Sequence, residues 1–236
     1  MDTQRLRILL SSVTILGCIL VSHAHAQSAK TRPADAASAG NQDARAVATL
    51  AGGCFWCTEA VFEEINGVGE VVSGYIGGTR AEANYGAVSS YKMPIPGKPL
   101  HAEAVQVHYD PDVIRFEEIL EIFFKTHDPT SLYRQGADVG PQYRTSIFYG
   151  DDEQKEAAEK YIDKLNRERT FRGRVATLLE DGTGESETST FYPAEEYHQD
   201  YFRRNPTATY CQLVVSQKVR KSRNLFEDKL KPKPKR

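Results

Sequence analysis

The chain has 236 residues, 40% of them hydrophobic and 26% charged, with a formal net charge of -2 and four cysteines. This is globular composition, long enough for one sizeable core. It excludes a disulfide-dense miniature scaffold, and the near-neutral charge gives no sign of a nucleic-acid surface.

Taken in order, Arg5 and Arg7 precede an apolar run over residues 8–21, and Ala24, His25 and Ala26 supply small residues before Gln27. A basic start, a short apolar middle and an A-x-A end are the pattern of a secretory signal peptide over residues 1–26. The run falls short of the roughly 20 apolar residues that a membrane span needs. A lipoprotein signal with lipid on Cys18 is the weaker reading, because Ile19, Leu20 and Val21 continue the apolar run. Either way the protein is expected outside the cytoplasm, with the periplasm as its destination. Residues 27–45, rich in Ala, Ser and Asp, read as a disordered linker. One folded domain is expected over 46–228, followed by a basic tail at 229–236.

Export changes the cysteine arithmetic. Once Cys18 leaves with the signal, Cys54, Cys57 and Cys211 remain. An odd number in an oxidising compartment leaves a free or exchanging thiol.

Residues 46–50 predict a first strand, and 55–65 an amphipathic helix containing Val61, Phe62 and Ile65. A second strand follows at 71–76, then a long proline-containing loop over 79–99. The alternation of Val105, Val107 and Tyr109 predicts a strand from about His101. Phe116, Ile119, Leu120, Phe123 and Phe124 define the buried side of a helix over 115–126. A polar loop spans 127–142, a strand 144–149, and a charged helix 152–169 with acidic residues at its start. A strand at 175–179, a short helix at 194–204 and an extended piece at 210–215 complete the reading. Strands and helices mix without strict βαβ regularity, which predicts an α+β fold with helices on a mixed or mostly antiparallel sheet.

The first strand passes through paired glycines into the first helix, which puts Cys54 at a helix N-terminus with Cys57 one turn later. Unpaired N–H groups and the macrodipole at that point favour a thiolate, the reactive form of cysteine. Three other readings compete. A buried structural cysteine is the common fate of an isolated Cys. A zinc site from Cys54, Cys57, His198 and Cys211 lacks the second close ligand pair that structural zinc usually shows. A thioredoxin-like disulfide exchanger suits C-x-x-C and export, but Phe55 and Trp56 are bulky between its thiols. Elsewhere Tyr85, Glu103, Asp138 and Tyr143 stand in loops or near strand ends, and composition alone leaves each as an ordinary surface residue.

The segments GGCFWCTEAVFEEINGVGEVVSGYIGG, HAEAVQVHYDP, HDPTSLYRQGADVGPQYRTSIFY and FYPAEEYHQDYFRRNP closely resemble the peptide methionine-S-sulfoxide reductase (MsrA) family. The resemblance covers nearly all of the expected domain, and GCFW is a specific signature. It implies a two-layer α/β sandwich with a ferredoxin-like core. It also implies that the Cys54 thiolate attacks a sulfoxide sulfur while Glu103 protonates the oxygen. Tyr85, Asp138 and Tyr143 fall on positions that bind that oxygen, and Phe55 and Trp56 on the apolar wall that receives the substrate methyl. The resulting Cys54 sulfenic acid would be resolved by Cys211, by Cys57, or by both in turn. No bound cofactor or metal is implied. The expected partners are oxidised methionine, free or in exported proteins, and a thioredoxin-like reductant or dithiothreitol, acting on a monomer. The stretch between Tyr85 and Glu103 is longer than the family pattern, and Leu100 replaces its usual glycine, which predicts a negative φ there.

Overall fold

The computed structural model describes residues 46–232. The segments read as an export signal and a linker, residues 1–45, and the end of the tail, residues 233–236, lie outside them. In chain order the elements are β1 (Ala46–Gly52), α1 (Phe55–Phe62), β2 (Val68–Ile76), α2 (Tyr85–Val88), β3 (Ala102–Tyr109) and α3 (Phe116–Thr126). Next come the short strands β4 (Arg134–Gln135) and β5 (Asp138–Val139), then β6 (Thr145–Tyr149), α4 (Asp152–Arg167), β7 (Leu178–Asp181) and β8 (Tyr192–Pro193). Helices α5 (Tyr201–Arg204) and α6 (Ser216–Leu225) close the fold.

The main sheet runs β7-β6-β1-β3-β2-β8. Its four central strands, with α1 joining β1 to β2 and α3 joining β3 to β6, make the βαββαβ order of a ferredoxin-like core. Their neighbours are antiparallel, whereas β7 pairs with β6 in parallel, so the sheet is mixed. Strand alternation sends Ala48, Leu50, Val105, Val107 and Ile147 to the helical face, where they share a core with residues of α1, α3, α4 and α6. Ala51, Ala102, Ala104 and Phe148 point to the other face, under Phe191. The sheet and the helices packed on its first face are the two layers that the resemblance implies.

Local sequence explains the best-formed elements. In α3, Ile119, Leu120, Ile122, Phe123 and Phe124 are buried, and Glu118 accepts a 3.1 Å bond from the Arg115 N–H at the helix start. In α4, Asp151 caps the Gln154 N–H at 2.7 Å.

Several expected boundaries differ. Helix α1 stops at Phe62, because Gly67 at φ +82 turns the chain and β2 begins at Val68, with an irregular register before Val71. The parallel strand lies at Leu178–Asp181 rather than 175–179. The helix expected over 194–204 is broken by Asp200, which is left-handed at φ +53. The extended piece expected at 210–215 is helical: a π-helical turn, Cys211–Val215, runs into α6. Its β-branched valines favour a strand locally, but Cys211, Val215, Val219 and Ser222 recur at helical spacing and are buried. The start of the expected basic tail is docked on the domain. Leu230 pairs with Ile65, the Lys231 N–H donates to Glu64 O at 2.8 Å, and Lys229 meets Glu118 at 2.5 Å. Leu100 is not among the positive-φ residues, in line with the expectation from its identity.

Phe123 is buried on α3, and its ring edge fills the space where a Cβ on Gly52 would sit. Truncating Phe123 to Ala should therefore cost about 3–5 kcal/mol. Urea unfolding should show this as a lowered midpoint with an unchanged slope.

Candidate active site

The site begins where β1 ends. Gly53 has φ +92, and a Cβ there would stand 2.5 Å from the Gln135 side chain, so both backbone and space require glycine. Gln135 is itself fixed, accepting from the Asp128 N–H at 3.0 Å and donating to the Asp128 carbonyl at 2.7 Å. The turn sets Cys54 at the N-cap of α1, where its carbonyl accepts the Cys57 N–H at 3.1 Å. The next N–H along, on Phe55, donates to Glu103 Oε2 at 3.1 Å. Glu103 lies on β3 opposite Tyr75 of β2, so this bond ties the helix start to the middle of the sheet.

Glu103 is buried, and burial pushes its carboxyl up to about 8 despite the bond from Phe55. It is a neutral acid at neutral pH.

The thiols depart from the expectation of an easily ionised Cys54. Cys54 is only 6% exposed, and burial first, then its hydrogen bond with Cys57, holds it well above the ordinary thiol value. The hydrogen bond from Cys54 comes first in holding Cys57 below its own. Desolvation outweighs the helix N-terminus, and the two sulfurs share a proton with the charge favoured on Cys57. Cys211 is fully buried and carries a free thiol like the other two. Burial raises it, and so does the charge of Cys57, which marks Cys57 as its thiol neighbour.

Around the thiols the other predicted residues come together. Tyr210 donates to Asp138 Oδ2 at 2.6 Å, and its hydroxyl acts to lower the pKa of both Cys54 and Cys57. Burial, and next the charge of Glu103, raises the hydroxyls of both Tyr85 and Tyr143. Tyr85 is the most open of the set at 37% exposure. Its N–H donates to Glu195 Oε1 at 2.9 Å, and the Tyr75 hydroxyl donates to Glu195 Oε2 at 2.9 Å. Phe55 and Trp56 form an aromatic wall, with His198 5.0 Å from the Phe55 ring and Tyr201 stacked on Trp56 at 3.7 Å and 8°. The Trp56 Nε1 is buried without a partner. Among the described residues no group of three or more His, Cys, Asp or Glu is arranged to hold a metal ion, and Cys54, Cys57, His198 and Cys211 form no such set.

The sequence reading passed over Tyr210, Tyr201 and Glu195. Tyr210 stands beside Cys211, and that adjacency was the available signal. Nothing local marks the other two, because their roles arise from long-range contacts. Glu59 is a further case, a buried carboxyl on α1 that accepts from Ser73 Oγ at 3.1 Å and from the Tyr201 N–H at 3.3 Å. It fixes the chain that carries Tyr201 over Trp56.

The family model for peptide methionine sulfoxide reductase matches residues 46–230. Peptide methionine sulfoxide reductase MsrA 1 of Rhodopirellula baltica is 59% identical over 185 residues, which are 78% of this chain and 89% of that protein. The MsrA of Thermus thermophilus is 48% identical over 186 residues, 79% of this chain and 98% of its own. Among solved structures, reduced Mxr1 from Saccharomyces cerevisiae is similar at TM-score 0.58 and 33% identity, covering 70% of this chain and 88% of its own. Methionine sulfoxide reductase A of Corynebacterium diphtheriae is similar at TM-score 0.56 and 32% identity, over 68% of this chain and 74% of its own.

Three buried or half-buried carboxyls hold their protons unusually late. Burial lifts Glu59 to about 7, and Glu63 and Glu103 to about 8. Between the ordinary carboxyl range and those values the folded state binds more protons than the unfolded one, so stability present at acid pH is lost as pH rises. His127, pushed down to about 4 by burial, acts in the opposite sense only below the ordinary histidine value of 6.5. Thermal midpoints should therefore fall from about pH 6.5 to about pH 8, and Glu59→Gln should flatten part of that slope.

Proposed function

The chain belongs to the peptide methionine sulfoxide reductase family and is a thiol-dependent oxidoreductase that reduces methionine sulfoxide to methionine, and from that premise we propose which residues carry the reaction. One observation supports the assignment above the rest: the Phe55 N–H, next to the Cys54 thiol, is bonded to the neutral, buried carboxyl of Glu103. A nucleophile and a proton donor are held one residue apart.

Cys54 attacks the sulfoxide sulfur, and its proton passes to Cys57, whose depressed pKa and hydrogen bond to Cys54 support that acceptor role. Glu103 donates to the sulfoxide oxygen, a good hydrogen-bond acceptor but a poor leaving group until protonated. As the Met S–O bond breaks, the oxygen passes as hydroxyl to the Cys54 sulfur and the transient S–S bond to the substrate breaks, leaving methionine and a Cys54 sulfenic acid. Tyr85 and Tyr143 bind the oxygen by donating from preorganised hydroxyls, and Asp138, which accepts from Tyr210, completes that side of the substrate site. Phe55 and Trp56 receive the methyl group, and the stack of Tyr201 on Trp56 supports a rigid wall. Fixing methyl and oxygen together leaves one direction for the remaining substituent, so a single epimer reacts, and the resemblance to the family implies that it is the S epimer.

The sulfenic acid condenses with a second thiol, releasing water and forming a disulfide. The influence of Cys57 on Cys211 supports a relay in which Cys57 attacks first and Cys211 takes the final disulfide. A thioredoxin-like dithiol protein, or dithiothreitol in the test tube, reopens it by exchange. The enzyme works as an exported, periplasmic monomer on oxidised methionine, free or in exported proteins; the N-terminal Arg5, Arg7 and apolar run support that location. The reaction scheme requires no resident cofactor. A general thiol–disulfide oxidoreductase is the less favoured reading.

With dithiothreitol as reductant, the S epimer of methionine sulfoxide should turn over and the R epimer should not, and Cys54→Ser should be inactive. Turnover of both epimers, or activity surviving Cys54→Ser, would refute the assignment. Glu103→Gln should lower kcat/KM by about 10²–10⁴. Wild-type kcat/KM should decline as pH rises through about 8, where Glu103 loses its proton, and the variant should lack that limb. Peptide mapping after one turnover without reductant should find Cys57 joined to Cys211 in the wild type and Cys54 joined to Cys57 in Cys211→Ser. A Cys54–Cys57 bridge in both would remove Cys211 from the route.

A further inference from the structure

The chain contains two methionines, Met1 and Met93. Met1 falls in the expected signal, so the folded domain has one thioether. The buried apolar positions are filled by aliphatic, aromatic and cysteine side chains, whereas Met93 is 71% exposed. Burial of apolar surface does not explain a methionine there.

Met93 lies in the long loop between α2 and β3, and the loop is pinned on both sides of it. The Tyr91 hydroxyl donates to Glu82 Oε1 at 2.7 Å, and Lys98 Nζ donates to the same oxygen at 2.8 Å and to the Tyr91 hydroxyl at 2.5 Å. Between these anchors the chain turns through a 3.0 Å bond from the Lys98 N–H to the Ile95 carbonyl and through Gly97 at φ +76. Pro94 and Pro96 have no N–H to give to a strand ladder. Pro94, Ile95 and Pro96 also line a cavity of about 550 Å³ with Leu100, Arg144 and Phe148, while Met93 is not part of that lining. Met93 is seated through its neighbours and its thioether is left in solvent.

We propose that Met93 is itself a substrate, oxidised by peroxide and reduced by a second molecule of the same enzyme. This rests on the assignment of Cys54 given above. In the first step the Met93 sulfur attacks a peroxide oxygen, the O–O bond breaks, a sulfoxide forms and water leaves. In the second, two thiols of another molecule supply two electrons; the sulfoxide returns to the thioether, a disulfide forms and the oxygen leaves as water. A dithiol reductant reopens the disulfide, so the net change is peroxide plus dithiol to two waters plus disulfide. Oxidation adds a polar oxygen to a side chain that is already hydrated, so the fold loses no packing. The thiols are nearly closed off in their own domain, whereas Met93 is exposed on an anchored loop and available to the Tyr85 edge, the most open part of another copy's site.

The test separates donor from acceptor. Cys54→Ser protein is oxidised with hydrogen peroxide, freed of oxidant, and incubated with dithiothreitol and a catalytic amount of Met93→Leu enzyme. The Met93 peptide is followed by mass spectrometry. Peroxide forms both sulfoxide epimers, so about half of the oxidised Met93 should be restored. A sulfoxide that persists while the same enzyme reduces free methionine-S-sulfoxide overturns this inference alone. Failure on both substrates overturns the catalytic assignment too. Restoration only within oxidised wild-type protein, at a rate independent of its concentration, would assign the repair to the same molecule and overturn the second-molecule step. Absence of Met93 oxidation under peroxide would overturn it at the outset.

Discussion

One hydrogen bond, from the Phe55 N–H at the start of α1 to the Glu103 carboxyl on β3, joins the two layers at the point where chemistry happens. It satisfies a helix N-terminal donor that has no partner within the helix, and it fixes the orientation of a carboxyl that burial keeps protonated. Much of the local architecture preserves that contact. Gly53 gives the chain a left-handed step that no other residue could take in the space left by Gln135. Glu103 is held by β3, which pairs with β1 and β2 on either side, so neither end of the bond moves independently of the sheet.

The same burial governs the thiols. A cysteine at a helix start is expected to ionise early, but here the loss of water around the sulfur is the larger effect. The negative charge is instead eased by a neighbouring S–H and by Tyr210. The resting site is therefore nearly dry, with the neutral form of the acid in place and the thiol charge displaced from Cys54 towards Cys57. In such surroundings a polar substrate group is worth more than it would be in water.

The parts of the fold legible in the sequence are those where one local signal dominates. β1, the glycine turn and α1 follow from apolar periodicity and the paired glycines, and α3 from its aromatic stripe. Residues 210–215 read as extended because Val214 and Val215 favour that backbone locally, while the spacing that makes the segment helical matters only once α1 and α3 present a surface to bury it. For the site, the C-x-x-C spacing marks Cys54 and Cys57 and the cysteine count keeps Cys211, whereas Glu103, Tyr85, Asp138 and Tyr143 take their roles only from the resemblance. Tyr201 and Glu195 had no local mark at all. Each acts through a contact more than a hundred residues away in the chain, on Glu59 and on Tyr75 and Tyr85 respectively.

The π-helical turn at Cys211–Val215 follows directly on Tyr210. The peptide that carries the last thiol therefore also carries the hydroxyl that holds Asp138. On the proposed route, a disulfide to Cys211 pulls on this turn, an i→i+5 form that is rare within helices and frequent at functional sites. Any rearrangement that lets the sulfur travel must also loosen the grip on Asp138. The oxidised enzyme would thus be a poor receptacle for a fresh sulfoxide, and reduction by the external dithiol would restore both thiols and receptor in one event. Such an interlock orders the cycle without a separate gate: the spent state rejects its own substrate.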